Sequence, residues 1–159
     1  HIAGHALSKI TLFFCAGSIY CASRRKKISD LAGIGRKLPW TMAAFFIGSL
    51  GMIGVPPSGG FISKWYLVMG SVDAREMVFL AVLLVSSVLN AAYFLPITYT
   101  AFFEKESAGP VGVGPDAIAP DEIREIPLVT IPLVATAFLS LVMGVFPGYF
   151  LNLAGGVVP

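Results

Sequence analysis

Apolar positions along this chain fall into long runs, not stripes. The first run goes from His1 to about Ala22 and holds three ionisable side chains, His1, His5 and Lys9. The second, Leu38 to Val55, carries no charge. The third, Phe61 to Val72, is short, contains Lys64, and is closed by Asp73, Arg75 and Glu76. The fourth, Met77 to Phe103, is uncharged, with Asn90 and Pro96 inside it. The fifth goes from Ile126 to about Leu153 and contains Pro127, Pro132 and Pro147. These runs do not alternate with period two and are too long for barrel strands. Segments that are apolar all round are solvated by lipid or by a deep core, and about 20 such residues cross roughly 30 Å of hydrocarbon. The pattern predicts an all-α integral membrane protein, a bundle of about five transmembrane segments. Helices are expected over 1–22, 38–55, 61–72, 77–103 and 126–153.

Polar residues collect between the runs. Arg24, Arg25, Lys26, Lys27, Arg36 and Lys37 make one loop basic, against the single acid Asp30. Residues 104–125 form an acidic linker rich in Gly and Pro, which predicts irregular backbone. The excess of Lys and Arg in cytoplasmic loops would put 23–37 inside and 104–125 outside. That fits if all three runs between the two loops cross the membrane.

Composition agrees with lipid as the solvent. The chain has 159 residues, 56% hydrophobic and 13% charged, with mean hydropathy +0.81, where a soluble domain carries about 25% charge. This excludes a disordered chain and speaks against a soluble enzyme. A net charge of +2 gives no reason to expect nucleic acid. Cys15 and Cys21, six apart, match neither a zinc spacing nor a disulfide framework. The chain opens at His1 with no features of a signal peptide, and it reads as a fragment from inside a longer membrane protein.

Candidate chemistry lies in the few polar groups inside the runs. His1, His5 and Lys9, spaced i, i+4, i+8, share one helix face and rise about 12 Å along it. Ionisable groups at membrane depth are costly and mark function by default, so these three form a candidate proton path, with Lys64 as a second intramembrane cation. Lys64 follows Val55-Pro56-Pro57-Ser58-Gly59-Gly60, where Pro56, Pro57, Gly59 and Gly60 predict a broken helix. Interrupted backbone at membrane depth is tolerated only inside protein or beside a wet cavity, and transporters use it. A helix restarting after Gly60 would set Lys64 near a positive helix end, which disfavours an ammonium. His1-x-x-x-His5 has Ile2 where a metalloprotease has Glu, so no metal is expected. Gly33-Ile-Gly35-Arg36-Lys37 lacks the spacing of a phosphate loop. No flavin, haem or iron–sulfur pattern and no nucleophile–base set is visible. No cofactor is expected, and whether the chain belongs to an enzyme stays open.

Three stretches together carry a resemblance: His1-Ile-Ala-Gly-His5-Ala-Leu-Ser-Lys9-Ile-Thr-Leu-Phe-Phe, Gly33-Ile-Gly35-Arg36-Lys37-Leu-Pro39-Trp40-Thr-Met-Ala, and Ile53-Gly54-Val55-Pro56-Pro57-Ser58-Gly59-Gly60-Phe61-Ile-Ser63-Lys64-Trp65. In this order they resemble the proton-conducting antiporter-like subunits, a superfamily of Mrp-type monovalent cation/proton antiporter subunits and the large pumping subunits of respiratory complex I. Within that superfamily they are most similar to the Mrp-type branch. The resemblance implies that 1–103 is the second-repeat part of a proton-conducting domain, 104–125 a linker and 126–153 an additional C-terminal helix. Lys9 would match the lysine of the family's tenth helix, with His1 and His5 beside it, and Lys64 the lysine of its broken twelfth helix, a terminal proton site. The first repeat, with its own charged pair, is not in this sequence. The family topology would put the loop after the tenth helix on the outer side, against the charge rule, so orientation stays open.

The expected function is a subunit of a monovalent cation (Na+)/proton antiporter in the inner (plasma) membrane, working through a Lys/His relay. Its partners would be sister membrane subunits, protons, Na+ or another monovalent cation, and the bilayer. An alternative is a proton-pumping subunit of a respiratory NADH-quinone oxidoreductase or a membrane-bound hydrogenase. A second is a non-conducting scaffold whose lysines pair with partner carboxylates.

Overall fold

A computed structural model describes residues 1–25, 27–105, 123–149 and 152. Lys26, linker residues 106–122 and part of the fifth run lie outside the described residues. The described chain is all helical apart from turns: α1 (Ile2–Ser23), two short 3-10 turns (Ile28–Leu31 and Ile34–Arg36), α2 (Pro39–Ile53), α3 (Gly59–Asp73), α4 (Met77–Phe103) and α5 (Pro127–Val145). Pro39 and Pro127 stand in the first turns of α2 and α5, where a missing N–H is no loss. Three helices, α1, α4 and α5, are long and apolar enough to cross a membrane. The expectation of an apolar helical membrane bundle is met.

The bundle closes on a seam of small and hydroxyl-bearing residues. α1 turns Gly4, Ser8, Thr11, Cys15 and Ser18 inward, all buried. Thr11 Oγ1 lies 2.8 Å from Leu7 O and 2.9 Å from Thr136 Oγ1 of α5 and shares its one hydrogen between them, Cys15 Sγ lies 3.3 Å from Thr41 O, and the Ser8 and Ser140 hydroxyls are 3.4 Å apart. Gly48 and Gly51 of α2 meet Leu12 and Ser8, and a Cβ on Gly51 would collide with the Ser8 hydroxyl. Lipid tails are as apolar as leucine, so membrane helices associate through such close backbone approach and interhelical hydrogen bonds. The contacts set directions: α1 runs antiparallel to α2, with Cys15 beside Thr41 and Ser8 beside Gly51. α5 runs with α2, from Glu125 at Trp40 to Gly144 against Pro57.

α2 and α3, with 15 residues each, are about 22 Å long and fall short of a roughly 30 Å hydrocarbon core. α4, with 27 residues, is about 40 Å long. Points taken in order along the first pair meet α4 in reverse order: Gly35 at Phe102, Phe45 at Phe94, Lys64 at Ser87. α3 then packs on α4 up to the short link between Asp73 and Met77. The two short helices are halves of one interrupted crossing. Gly33 N–H donates to Thr100 O at 3.3 Å, and Glu125 contacts the start of α2. The basic loop and both described ends of the acidic linker therefore lie at the same end of the bundle. The expectation that they lie on opposite sides is corrected, because it counted α2 and α3 as two crossings.

The interruption is narrower than the Pro and Gly pattern implied. Gly54 to Ser58 form it, and Gly59 and Gly60 belong to the first turn of α3. Gly60 backs onto the Gly51 carbonyl, where a Cβ has no room, whereas Gly70 further along α3 has open space around it. Gly60→Ala is therefore expected to destabilise the bundle by about 1–3 kcal/mol through overpacking. Gly70→Ala should be neutral or stabilise by up to about 1 kcal/mol through helix propensity. Unfolding midpoints of the detergent-solubilised variants check this contrast.

Candidate functional site at the helix break

A helix leaves its last four carbonyls without intrahelical donors, and in lipid each unsatisfied group costs several kcal/mol. At the end of α2, Gly54 takes a left-handed conformation (φ 85°) and its N–H returns to Leu50 O at 2.8 Å. Ser58 Oγ donates to Val55 O at 2.7 Å. The Pro56–Pro57 peptide is cis. Of the other carbonyls of that last turn, those of Met52 and Ile53 both accept from Lys64 Nζ, at 2.9 Å. The same ammonium donates to Ser87 Oγ of α4, also at 2.9 Å. Gly54 has no side chain to obstruct the Lys64 stem, which passes where its Cβ would stand.

Lys64 thus does not rest at the positive start of its own helix. It reaches back across the break to the negative end of α2, where a cation is favoured. The opposite end of α2 mirrors this. Leu38 offers no side-chain cap, and the half-buried carboxylate of Glu125 accepts the N–H groups of Trp40 (2.7 Å) and Thr41 (3.0 Å). An anion at the positive end and a cation at the negative end, each from another segment, hold this one short helix.

Of the α1 residues, His1 and His5 lie together, ring centroids 5.6 Å apart, and His1 Nδ1 is 3.0 Å from Ser63 Oγ, one residue before Lys64. A cavity of about 440 Å³ opens there, lined by His1, Gly4, Ser63, Tyr66 and Met143 among others. Lys9, on the same helix face, lines a different groove of about 600 Å³ between α1, α2 and α4, with Phe13, Tyr20, Met52 and Phe94. The structure brings His1, His5 and the start of α3 together and sets Lys9 on the other flank of the last turn of α2. Met52 belongs to both places: its side chain lines the groove and its carbonyl accepts from Lys64. Among the described residues no three of His, Cys, Asp and Glu converge as metal ligands.

Sequence reasoning missed Ser87, Glu125 and Gly54 as members of this site. Ser87 sits in an uncharged run and Glu125 at the end of an acidic linker, and neither carries a local signal. Gly54 did have one, as a glycine directly before Val55-Pro56-Pro57 where α2 must stop.

Comparison with known proteins places this geometry. Residues 1–90 match the sequence model of a family described as NADH:quinone oxidoreductase/Mrp antiporter, transmembrane. NADH-quinone oxidoreductase subunit N of Desulforudis audaxviator is 47% identical over 104 residues, covering 65% of this chain and 21% of that protein. NADH-quinone oxidoreductase subunit N 1 of Solibacter usitatus is 31% identical over 161 residues, covering 97% of this chain and 30% of its own length. A chain in the structure of the Mrp complex from Dietzia sp. DQ12-45-1b shares the fold, with TM-score 0.81 at 23% identity, over 96% of this chain and 35% of that one. The present chain spans roughly a fifth to a third of the length of these relatives.

The capping arrangement orders three substitutions by stability. Lys64→Met leaves two carbonyls without a donor and is expected to cost about 1–3 kcal/mol. Glu125→Ala removes an N-terminal cap worth about 1 kcal/mol. Ser87→Ala removes one interhelical hydrogen bond, about 0.6 kcal/mol in membrane proteins. Thermal unfolding in detergent should rank the losses in that order.

Proposed function

The chain belongs to the NADH:quinone oxidoreductase/Mrp antiporter transmembrane family, and on that premise we propose that it is the part of a monovalent cation/proton antiporter subunit that handles protons at a broken helix. The observation that carries the reading is the Lys64 ammonium, held at the helix break by Met52 O, Ile53 O and Ser87 Oγ. It is a titratable group fixed at an interrupted crossing by neutral oxygens. Protons move along the polar line of His1, His5 and Lys9 and are loaded and released at Lys64. His1 beside Ser63 supports an approach to α3 from the α1 side, and the groove beside Met52 supports a second approach from Lys9. Na+ or another monovalent cation is the exchanged ion, sister membrane subunits complete the complex, and the plasma membrane is its location.

A second reading has its own support. The 47% identity to an NADH-quinone oxidoreductase subunit N favours the same proton machinery driven by electron transfer in partner subunits. The two readings share the site and differ in what drives it.

The test uses the full-length protein with its sister subunits in inverted vesicles. A pH gradient is set, Na+ is added, and wild type is compared with Lys64→Ala and Lys9→Ala. Exchange is expected in wild type and at least tenfold slower in Lys64→Ala, with the complex still assembled. A wild type that ignores Na+ but moves protons when given an electron donor establishes the redox-driven reading instead. A Lys64→Ala complex as active as wild type refutes the proton role of Lys64, and loss of assembly without a transport phenotype points to a scaffold.

A further inference from the structure

Three oxygens converge on Lys64 Nζ: Met52 O, Ile53 O and Ser87 Oγ, each at 2.9 Å. Two are the terminal carbonyls of α2, at the negative end of its dipole. The third has its polarity fixed, because Ser87 Oγ donates its own hydrogen to Leu83 O at 3.1 Å and so presents lone pairs to the ammonium. Backbone carbonyls freed by an interrupted helix, joined by a neutral oxygen, have the donor chemistry that replaces the hydration shell of a monovalent ion. When the ammonium leaves these oxygens, the two carbonyls are again without donors in a water-poor place.

We propose that Met52 O, Ile53 O and Ser87 Oγ form a binding site for a monovalent metal cation, and that the Lys64 ammonium is a tethered competitor for it. This rests on the exchange reading given above and deepens it by naming where the exchanged ion binds. Lysine and metal cation carry the same charge to the same oxygens, so occupancy by one excludes the other. Alternation between them couples ion entry to departure of the lysine, because the end of the proton path and the ion site share the same three oxygens. The oxygens sit on two elements, α2 and α4, while the competitor rides on α3. Movement of α3 relative to that pair is then enough to open the site. Gly54, bare where the Lys64 stem crosses it, leaves the stem room to withdraw.

Binding of radiolabelled Na+ to the purified full-length complex tests this, with choline as the inert control and unlabelled Li+ and K+ as displacers. Lys64→Ala is expected to lower the half-saturating Na+ concentration at least tenfold relative to wild type. Adding Ser87→Ala to that variant should raise it again at least threefold. If Lys64→Ala binds Na+ no better than wild type, or if the second substitution has no effect, the site is refuted. Should Lys64→Ala fail to assemble, Lys64→Gln, which keeps a neutral donor, serves with the same titration, and equality with wild type again overturns the proposal. Exchange in wild-type vesicles is a separate readout. Intact exchange with no gain in binding sinks the site and spares the functional reading, whereas a gain in binding without wild-type exchange does the reverse.

Discussion

α2 is short and apolar, and its unpaired backbone ends govern the structure around it. Fifteen residues are too few to cross the bilayer, and both ends of this helix find partners outside it. The carboxylate of Glu125 meets one end and the ammonium of Lys64 the other. Each charge has the sign that the helix dipole favours, and each comes from a different segment of the chain. The first sets the entry of α5 beside the start of α2. The second ties α3 to α2 across the break and, through Ser87, to the middle of α4. A hydrophobic residue at position 64 would suit lipid better and hold none of this together.

The rest of the packing lets that break sit where it does. Gly4, Gly51, Gly59, Gly60 and Gly144 bring the backbones of α1, α2, α3 and α5 close around it, and the hydroxyl seam of Ser8, Thr11, Thr136 and Ser140 locks α1 to α5 just beside it. In lipid such contacts replace the hydrophobic drive that would assemble a soluble core. Bulky apolar residues are accordingly found outside: Phe13, Trp65, Val78, Val88 and Phe138 are all exposed. Their solvent is lipid or further protein, so this inside-out arrangement costs nothing that burial would have gained.

Much of this was legible from the sequence because the longest signals are physical ones. An uncharged run such as Met77 to Phe103 admits one structure in lipid, and α4 occupies that same range. The fifth helix, expected over 126–153, stops earlier: α5 ends at Val145, because the residue before Pro147 is biased away from helical backbone. The Pro and Gly cluster located the break, though Gly59 and Gly60 turned out to serve close packing in the first turn of α3. What could not be read was tertiary. A lysine's long stem let Lys64 act at the end of the preceding helix instead of the start of its own, and no local pattern encodes that direction. Ser87 and Glu125 became visible only once the chain had folded back on itself. The sidedness of the loops was misjudged for a related reason: two apolar runs separated by a turn look like two crossings until their lengths and their shared partner on α4 are known.

Lys9 and Lys64 stand on opposite flanks of the last turn of α2. Met52 connects them, its side chain in the groove with Lys9 and its carbonyl on Lys64, while His1 reaches α3 from the α1 side through Ser63. Among the described residues the end of α2 is what lies between Lys9 and Lys64. That turn is held by the ammonium of Lys64 and by glycine contacts, and both are exchangeable or weak compared with an unbroken hydrogen-bonded helix. A continuous helix would bring the same residues to membrane depth, but it would satisfy its own carbonyls and leave a lysine nothing to hold. The interruption therefore creates the acceptors that hold the charged group at the break, and it makes their occupancy depend on where that charged group is.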